Sequence, residues 1–212
     1  MLELLEDDQL AFVLVAVSLV FAIALHEYAH ALAADLQGDR LPRAMGRLTL
    51  NPVRHLDPLG TVAIVLIGFG WGKPVEFRMS ALSSKRFGAA LVALAGPMMN
   101  LFLALVGAFL LGRVGSSAGF SVLDTFLAYF VALNVTLAIF NLIPLPPLDG
   151  SRLLTIFLPP NKQKIIFFLD QYGFFILLAV VFLGGFSFIH PIINSVGNWF
   201  LETMGAHVRL NF

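Results

Sequence analysis

The residues of this chain that could do chemistry are His26, Glu27 and His30, which form the motif HEYAH within an otherwise apolar stretch, residues 11–34. On a helix, histidines four residues apart share one face, so both imidazoles can reach one zinc ion. Glu27 is adjacent and could accept a proton from water without being a ligand. The alternative is a pair of hydrogen-bonded histidines and an ion-paired glutamate. Because ionisable residues are rare in membrane segments and usually functional there, the motif favours zinc.

A third ligand is needed, because catalytic zinc sites usually have three protein ligands and one open position. Asp149 follows three prolines in LIPLPPLDG, where the backbone cannot continue a helix. In a membrane protein such backbone is buried in protein or lines a wet cavity. The alternative is an ordinary surface turn at Asp149 and Gly150, and the residues alone do not decide between ligand and turn. His55 and His190 are rival ligands beside predicted interfaces, where a lone histidine is more often a structural hydrogen-bonder, and His207 is expected in solvent.

The composition indicates a membrane protein. Hydrophobic residues make up 58% of the 212 residues and charged residues 12%, against roughly 45–50% and 25% in soluble proteins. The net charge is zero, which gives no indication of nucleic-acid binding. The absence of cysteine excludes disulfides and thiolate metal sites. The first apolar run follows an acidic start and has no small-residue cleavage site, so we expect a retained span rather than a signal peptide.

The elements that must position these residues are apolar segments, predicted at residues 11–34, 59–71, 87–111, 123–143 and 165–183. Segment 59–71 would cover only about 20 Å as a helix, less than the hydrocarbon core of about 30 Å. If it is re-entrant, the basic loops on both sides of it face the same side of the membrane, as the positive-inside rule favours. The tail, 186–204, could be a last span or an interfacial helix.

We therefore expect an all-α polytopic membrane protein with about five to six transmembrane helices. A short re-entrant or β-hairpin-like element is expected between the first and second clear spans. Residues 1–212 are predicted to form a single domain, with no internal repeat.

Three motifs together resemble the site-2 protease family, which are intramembrane zinc metalloproteases. They are HEYAH in the first span, AGPMMN at 95–100 and NLIPLPPLDG at 141–150, in the order of the family pattern. The last motif departs from the pattern by one additional proline. GRLTLNPVRHLDPLGT and FGWGKPVEF are similar to compact bacterial and archaeal members, and the resemblance covers about residues 10–152.

The resemblance implies peptide-bond hydrolysis in or near membrane-spanning segments of protein substrates. It implies a multi-pass protein of the cell membrane, without PDZ or CBS domains, that has a catalytic core at 10–152 and further helices at 163–204. Oligomeric state is not indicated. A transporter or channel and an inactive scaffold are the alternatives. The residue roles that it implies are His26, His30 and Asp149 as ligands of one zinc ion, Glu27 as catalytic acid/base, Asn141 as support for the tetrahedral intermediate, and Asn100 in packing, hydrogen bonding or catalysis.

A substrate helix must be locally extended before it can be cut. Residues 46–52, GRLTLNP, alternate polar and apolar side chains, which is the period of a strand. Because strand edges bind extended peptides, residues 47–51 could form an edge strand that pairs with the substrate. The alternative is a short connecting strand without a functional role.

Overall fold

The structure is a computed structural model that describes residues 6–67, 70–114, 121–157, 163–185, 187–206 and 210. All regular secondary structure within these residues is helical. Single turns of 3-10 helix lie at Pro52–Arg54, Met79–Ala81 and Ser187–Ile189. The α-helices, numbered here in chain order, are α1 (Gln9–Leu36), α2 (Leu41–Ala44), α3 (Pro58–Ile67), α4 (Lys85–Val114), α5 (Val122–Asn141), α6 (Gly150–Phe157), α7 (Gln163–Phe182) and α8 (His190–Thr203).

Among the described residues, three helices are long and apolar enough to cross a membrane: α1, α4 and α5. They have 28, 30 and 20 residues and coincide with the predicted segments 11–34, 87–111 and 123–143. Helix α7 coincides with the predicted segment 165–183. Its apolar part, Gln171–Phe182, is shorter than the three long helices. The predicted all-helical class is therefore confirmed for the described residues, and the apolar helices indicate a multi-pass membrane protein.

Side-chain caps define where two of the long helices begin. The carboxylate of Asp8 accepts a hydrogen bond from the backbone nitrogen of Ala11 at the start of α1. Ser121 and Asp124 form a capping box at the start of α5. Helix α1 ends at Leu36, and Gly38 then adopts a φ of +106°, a conformation that suits glycine and turns the chain away.

The three long helices pack on one another through small side chains. Helix α4 lies against both α1 and α5, and α1 also contacts α5. Many of the buried residues at these contacts are alanine, which lets helix backbones approach closely within a bilayer. Those on α1 and α4 include Ala22, Ala29, Ala31, Ala34, Ala89, Ala90, Ala93, Ala104 and Ala108.

Residues 56–67 and 70–72, called the hairpin below, leave the bundle and return to the same place. Leu56 and Gly72 form an isolated antiparallel bridge, and the backbone nitrogen of Lys73 donates to the backbone oxygen of His55 at 2.7 Å. Between them lies α3, whose 10 residues are too few to cross about 30 Å of hydrocarbon. The chain segments that enter and leave the hairpin, called its limbs below, share one bridge, and the chain between them is helical. The hairpin is therefore not built from β-strands, and the predicted β-hairpin-like alternative is wrong for the described residues.

The predicted edge strand at residues 47–51 is also wrong. The chain bends at Leu48 and Thr49 instead of extending. Gly46, with a φ of +68°, precedes the bend, and the side chain of Arg47 turns inward and is buried. The backbone oxygen of Thr49 accepts a hydrogen bond from Nε2 of His55 at 2.7 Å. The alternation of polar and apolar residues therefore reflects one buried arginine in a loop rather than the two faces of a strand.

The C-terminal helix α8 packs one face against the ends of α4 and α5. Its buried residues, Ile193, Gly197 and Leu201, recur every fourth position, whereas Trp199 is exposed. With 14 residues it is too short to span the hydrocarbon core.

Candidate metal centre

Three side chains from two parts of the chain converge beside α4. His26 and His30 lie one turn apart on α1, and Asp149 immediately precedes α6. The Nε2 atoms of the two histidines are 3.0 Å apart. Oδ2 of Asp149 lies 3.1 Å from Nε2 of His26 and 3.3 Å from Nε2 of His30. The three atoms thus form a nearly equilateral triangle.

Both imidazoles are oriented from behind by hydrogen bonds at Nδ1. Nδ1 of His30 donates to the backbone oxygen of Val92 at 2.7 Å, and Nδ1 of His26 donates to Oδ1 of Asn100 at 2.5 Å. Because both partners are acceptors, each Nδ1 carries the proton and each Nε2 presents a lone pair. Ring nitrogens held in this way are typical of histidines that bind a metal.

The arrangement fits a zinc ion. Two nitrogens bound to zinc at 2.0–2.1 Å in a tetrahedron lie about 3.3 Å apart, close to the separation here. Oδ2 of Asp149 is buried and forms no hydrogen bond with the described residues. Gly96, on α4, leaves the space open: a Cβ there would stand 2.6 Å from Nε2 of His26 and closer still to Nε2 of His30. The two Nε2 atoms and Oδ2 of Asp149 all present lone pairs to one another, with no proton between them. Such an arrangement is costly unless a cation lies among the three atoms.

Asn100 belongs to a buried chain of amides. Its Nδ2 donates to Oδ1 of Asn134 at 2.9 Å and to the backbone oxygen of Ala22 at 3.3 Å. Asn134, on α5, in turn donates to the backbone oxygen of Phe130 at 2.8 Å. Both asparagines are fully buried. These bonds require Oδ1 of Asn100 to face His26, so the amide chain from α5 sets the orientation of an imidazole on α1.

Glu27 lies between the histidines and the base of the hairpin. Its Oε2 is 3.7 Å from Nη2 of Arg47, which is itself buried. Its Oε1 faces Gly72, where a Cβ would stand only 3.1 Å away. Glu27 is thus adjacent to His26 in the sequence, and its two carboxylate oxygens face Arg47 and Gly72.

The other predicted residues lie outside the triangle. Asn141 ends α5, and its Nδ2 donates to the backbone oxygen of Leu137 at 2.9 Å. His55 is buried and bonded to Thr49; burial lowers the pKa of its imidazole below the usual value, more than the hydrogen bond to Thr49 raises it. His190 is exposed at the start of α8, and His207 lies outside the described residues.

Gly96 and Asn134 also belong to the site, although the sequence alone does not predict a role for either residue. Gly96 lies inside the motif AGPMMN, but its role depends on how close α1 comes to α4. Asn134 is a polar residue in the apolar run that forms α5. Polar residues at membrane depth are rare, and this property could have identified Asn134 as a candidate.

The chain is similar to a known protein family and to several bacterial proteins. The model of Peptidase family M50 matches residues 14–119 and 113–183. A candidate zinc metalloprotease, YwhC of Bacillus subtilis (strain 168), is 38% identical over 198 residues, which are 90% of either chain.

Two further relatives are named Rip2 and are likewise candidate zinc metalloproteases. The protein of Mycolicibacterium smegmatis is 34% identical over 199 residues, or 90% of this chain and 71% of the relative. The protein of Mycobacterium tuberculosis (strain H37Rv) is 30% identical over 211 residues, or 94% and 77%. No solved structure matches the chain significantly.

Proposed function

The chain belongs to peptidase family M50, the intramembrane zinc metalloproteases, and we propose that His26, His30 and Asp149 hold its zinc ion while Glu27 is the catalytic acid/base. The family and the zinc-dependent protease activity inferred from the motifs are thereby confirmed. One observation carries the residue assignment: two Nε2 atoms and one carboxylate oxygen lie within 3.0–3.3 Å of one another, next to a glutamate.

In the proposed reaction, the zinc ion and the side chains have separate chemical roles. Zinc, when bound, would act as a Lewis acid toward the scissile carbonyl and make water more acidic. Glu27 accepts the proton of the attacking water and delivers it to the leaving amine. His26, His30 and Asp149 would hold the zinc ion. The hydrogen bonds at the two Nδ1 atoms keep the imidazoles from turning.

Asn141 is proposed to support the tetrahedral intermediate as a hydrogen-bond donor. In the structure its amide donates to Leu137 within its own helix. The side chain therefore has to exchange that bond for one to substrate, which a residue at the end of a helix can do by changing rotamer. Its family motif, NLIPLPPLDG, also contains Asp149.

The proposed arrangement in the membrane has about five to six membrane segments, counting the hairpin as re-entrant. Its supports are the shortness of α3 and the bridge between Leu56 and Gly72, which brings both limbs to one level. Basic residues collect at that end of the bundle, which the positive-inside rule assigns to the cytoplasm. They are Arg40, Arg43, Arg47, Arg54, Lys73 and Arg78.

The substrates are proposed to be membrane-spanning proteins that are cut in or beside the membrane segment. The chain is proposed to act as one domain, with the catalytic core at 10–152 and the helices at 163–204 as its flank, in the cell membrane. HEYAH lies in the half of α1 nearer the cytoplasmic end in this arrangement, which would give water a short route to the site.

The experiment is a cleavage assay with purified protein in detergent and a panel of single-span substrates. Cleavage that stops with a zinc chelator and returns with added zinc supports the proposal. Ion flux in proteoliposomes without any cleavage would instead favour the transporter alternative. A control arm uses Asn198→Ala, which removes a partly buried amide on α8, away from the site, and should cut normally.

A further inference from the structure

Arg47 is a buried arginine at the base of the hairpin, and it joins the two limbs. Only 4% of its surface is exposed. Its Nη1 donates to the backbone oxygen of Arg54 at 2.5 Å, before the hairpin begins. Its Nη2 donates to the backbone oxygen of Lys73, just after the hairpin ends. One guanidinium therefore fixes the distance between the entering and the leaving chain.

The same guanidinium faces the carboxylate of Glu27. Nη2 of Arg47 is 3.7 Å from Oε2 of Glu27, and that oxygen is buried without a hydrogen bond to any described residue. On the other side, Oε1 faces the backbone of Gly72. The carboxylate thus lies between the Arg47 guanidinium and the hairpin, and the same guanidinium links the two ends of the hairpin.

An arginine suits this place better than a lysine. A buried charge is costly unless it is paired and its protons are accepted. The planar guanidinium can donate to two carbonyl groups and face a carboxylate at once, whereas an ammonium is a single point charge on a flexible stem. Removal of Arg47 would leave Glu27 without a cation beside it and the limbs without their link.

We propose that Arg47 is a positioning residue for the hydrolysis: it fixes the carboxylate of Glu27 and ties its place to that of the hairpin. The inference rests on the proposed role of Glu27. A general base has to lie within hydrogen-bond reach of the proton that it takes. A misplacement of about 1 Å can cost about 100-fold in rate. Movement of the hairpin therefore changes activity through Glu27.

The first test compares Arg47→Met, which removes the charge, with Arg47→Lys, which keeps a charge but cannot bond both carbonyls. We expect kcat to fall by about 10- to 100-fold in Arg47→Met and by less in Arg47→Lys. KM should change little, and the zinc content should stay at one ion per chain. The fall in kcat at constant zinc separates positioning from general loss of the fold.

The matched control is Arg78→Met. Arg78 also ties a nearby loop, through Asp39, but makes no contact with Glu27. We expect this variant to be less stable yet to keep its kcat.

A double-mutant cycle tests whether Arg47 acts through Glu27. In the Glu27→Asp background the shorter carboxylate no longer occupies the position that Arg47 holds. We therefore expect Arg47→Met to lower kcat by a smaller factor there than in the wild type. An equal factor in both backgrounds would overturn the proposal.

A readout without turnover follows the hairpin itself. The chain has two tryptophans, and Trp71 lies at the hairpin base, packed edge-on against Phe174 with centroids 5.4 Å apart. In a Trp199→Phe background, Arg47→Met should increase the quenching of Trp71 by acrylamide, and Arg78→Met should not.

The outcomes separate this inference from the function on which it rests. If Glu27→Gln cuts substrate, the acid/base assignment fails. If Glu27→Gln is inactive while Arg47→Met has normal kcat or unchanged quenching of Trp71, the assignment stands and the positioning role of Arg47 is wrong.

Discussion

Oδ1 of Asn100 lies 2.5 Å from Nδ1 of His26, although 74 positions separate the two residues and they belong to different helices. The bond directs the opposite nitrogen of the imidazole toward His30 and Asp149. It assigns Asn100 a hydrogen-bonding role, one of those that its motif left open.

Asn100→Ala should weaken zinc binding by about 10- to 100-fold, because the imidazole of His26 loses the partner that fixes its tautomer and orientation. Competition with a chromophoric chelator measures the change. Asn198→Ala, which removes a partly buried, hydrogen-bonded amide from the C-terminal region, is the control and should leave zinc affinity unaltered. Equal affinities for Asn100→Ala and the wild type would show that the bond does not orient a ligand.

Gly96→Ala should abolish zinc binding, because the added methyl group would occupy the space in front of both Nε2 atoms. The control is Gly107→Ala on the same helix, where the methyl group meets side chains of α5 instead. Zinc content by atomic emission is the measurement. A full complement of zinc in Gly96→Ala would mean that the ion binds elsewhere.

His26→Ala, His30→Ala and Asp149→Ala should each lower zinc occupancy of a chain that otherwise holds about one ion, because a catalytic zinc site has three protein ligands. Asp149→Ala is the decisive variant, since a surface turn was the alternative for this residue. Retention of zinc at wild-type affinity by Asp149→Ala would remove it from the ligand set.

Glu27→Gln should abolish cleavage and leave zinc and the fold intact, because an amide cannot take the proton of water. Asn141→Ala should be milder, with a loss of about 10²–10³ in rate, the usual effect of one missing oxyanion donor. Single-turnover cleavage of a fluorogenic membrane peptide measures both. Substantial turnover by Glu27→Gln would contradict its role.

Asp39→Asn should destabilise the protein at neutral pH. Burial acts to raise the pKa of the Asp39 carboxyl, but hydrogen bonds from the backbones of Arg78 and Leu41 and from the Arg78 guanidinium outweigh it and hold the pKa below its usual value. Stability from a lowered pKa is complete above the unfolded value of about 3.9 and is lost as the pH falls through the folded value.

The measurement is thermal unfolding of zinc-free protein in detergent at several pH values. We expect Asp39→Asn to melt roughly 2–4 °C lower at pH 7, the shift that about 1 kcal/mol produces at this chain length. The gap should begin to narrow below the unfolded pKa of about 3.9 and close as the pH falls through the lower folded pKa. Asp7→Asn, at an exposed position before α1, should melt like the wild type. A gap that persists in acid would contradict the proposed origin of the stability.

The local patterns of the sequence predicted the long helices and the histidine pair. Residues 11–34 are apolar almost throughout, and four-residue spacing puts His26 and His30 on one face whatever surrounds them. The residues around Asp149 do not decide between a ligand and a turn, because the approach of residue 149 to α1 depends on how α4 and α5 pack. Only the motifs shared with a family favoured the ligand.

The loop around Arg47 shows why other features could not be predicted. An alternating pattern predicts a strand only if its polar side chains face water. Arg47 faces the interior because Glu27 and two backbone oxygens meet there, and these partners come from three separate places in the chain. The orientation is a property of tertiary contacts, and no window of neighbouring residues contains it.

The metal site joins α1 to a loop about 120 residues later, and a cross-link across such a distance removes much freedom from the unfolded chain. A chain without cysteine has no disulfide to do this. Bound zinc would therefore act as a reversible cross-link between α1 and the proline-containing segment before α6. Its removal would then free Asp149 and the neighbouring prolines before the long helices part, so chelation would expose this segment to added proteases first.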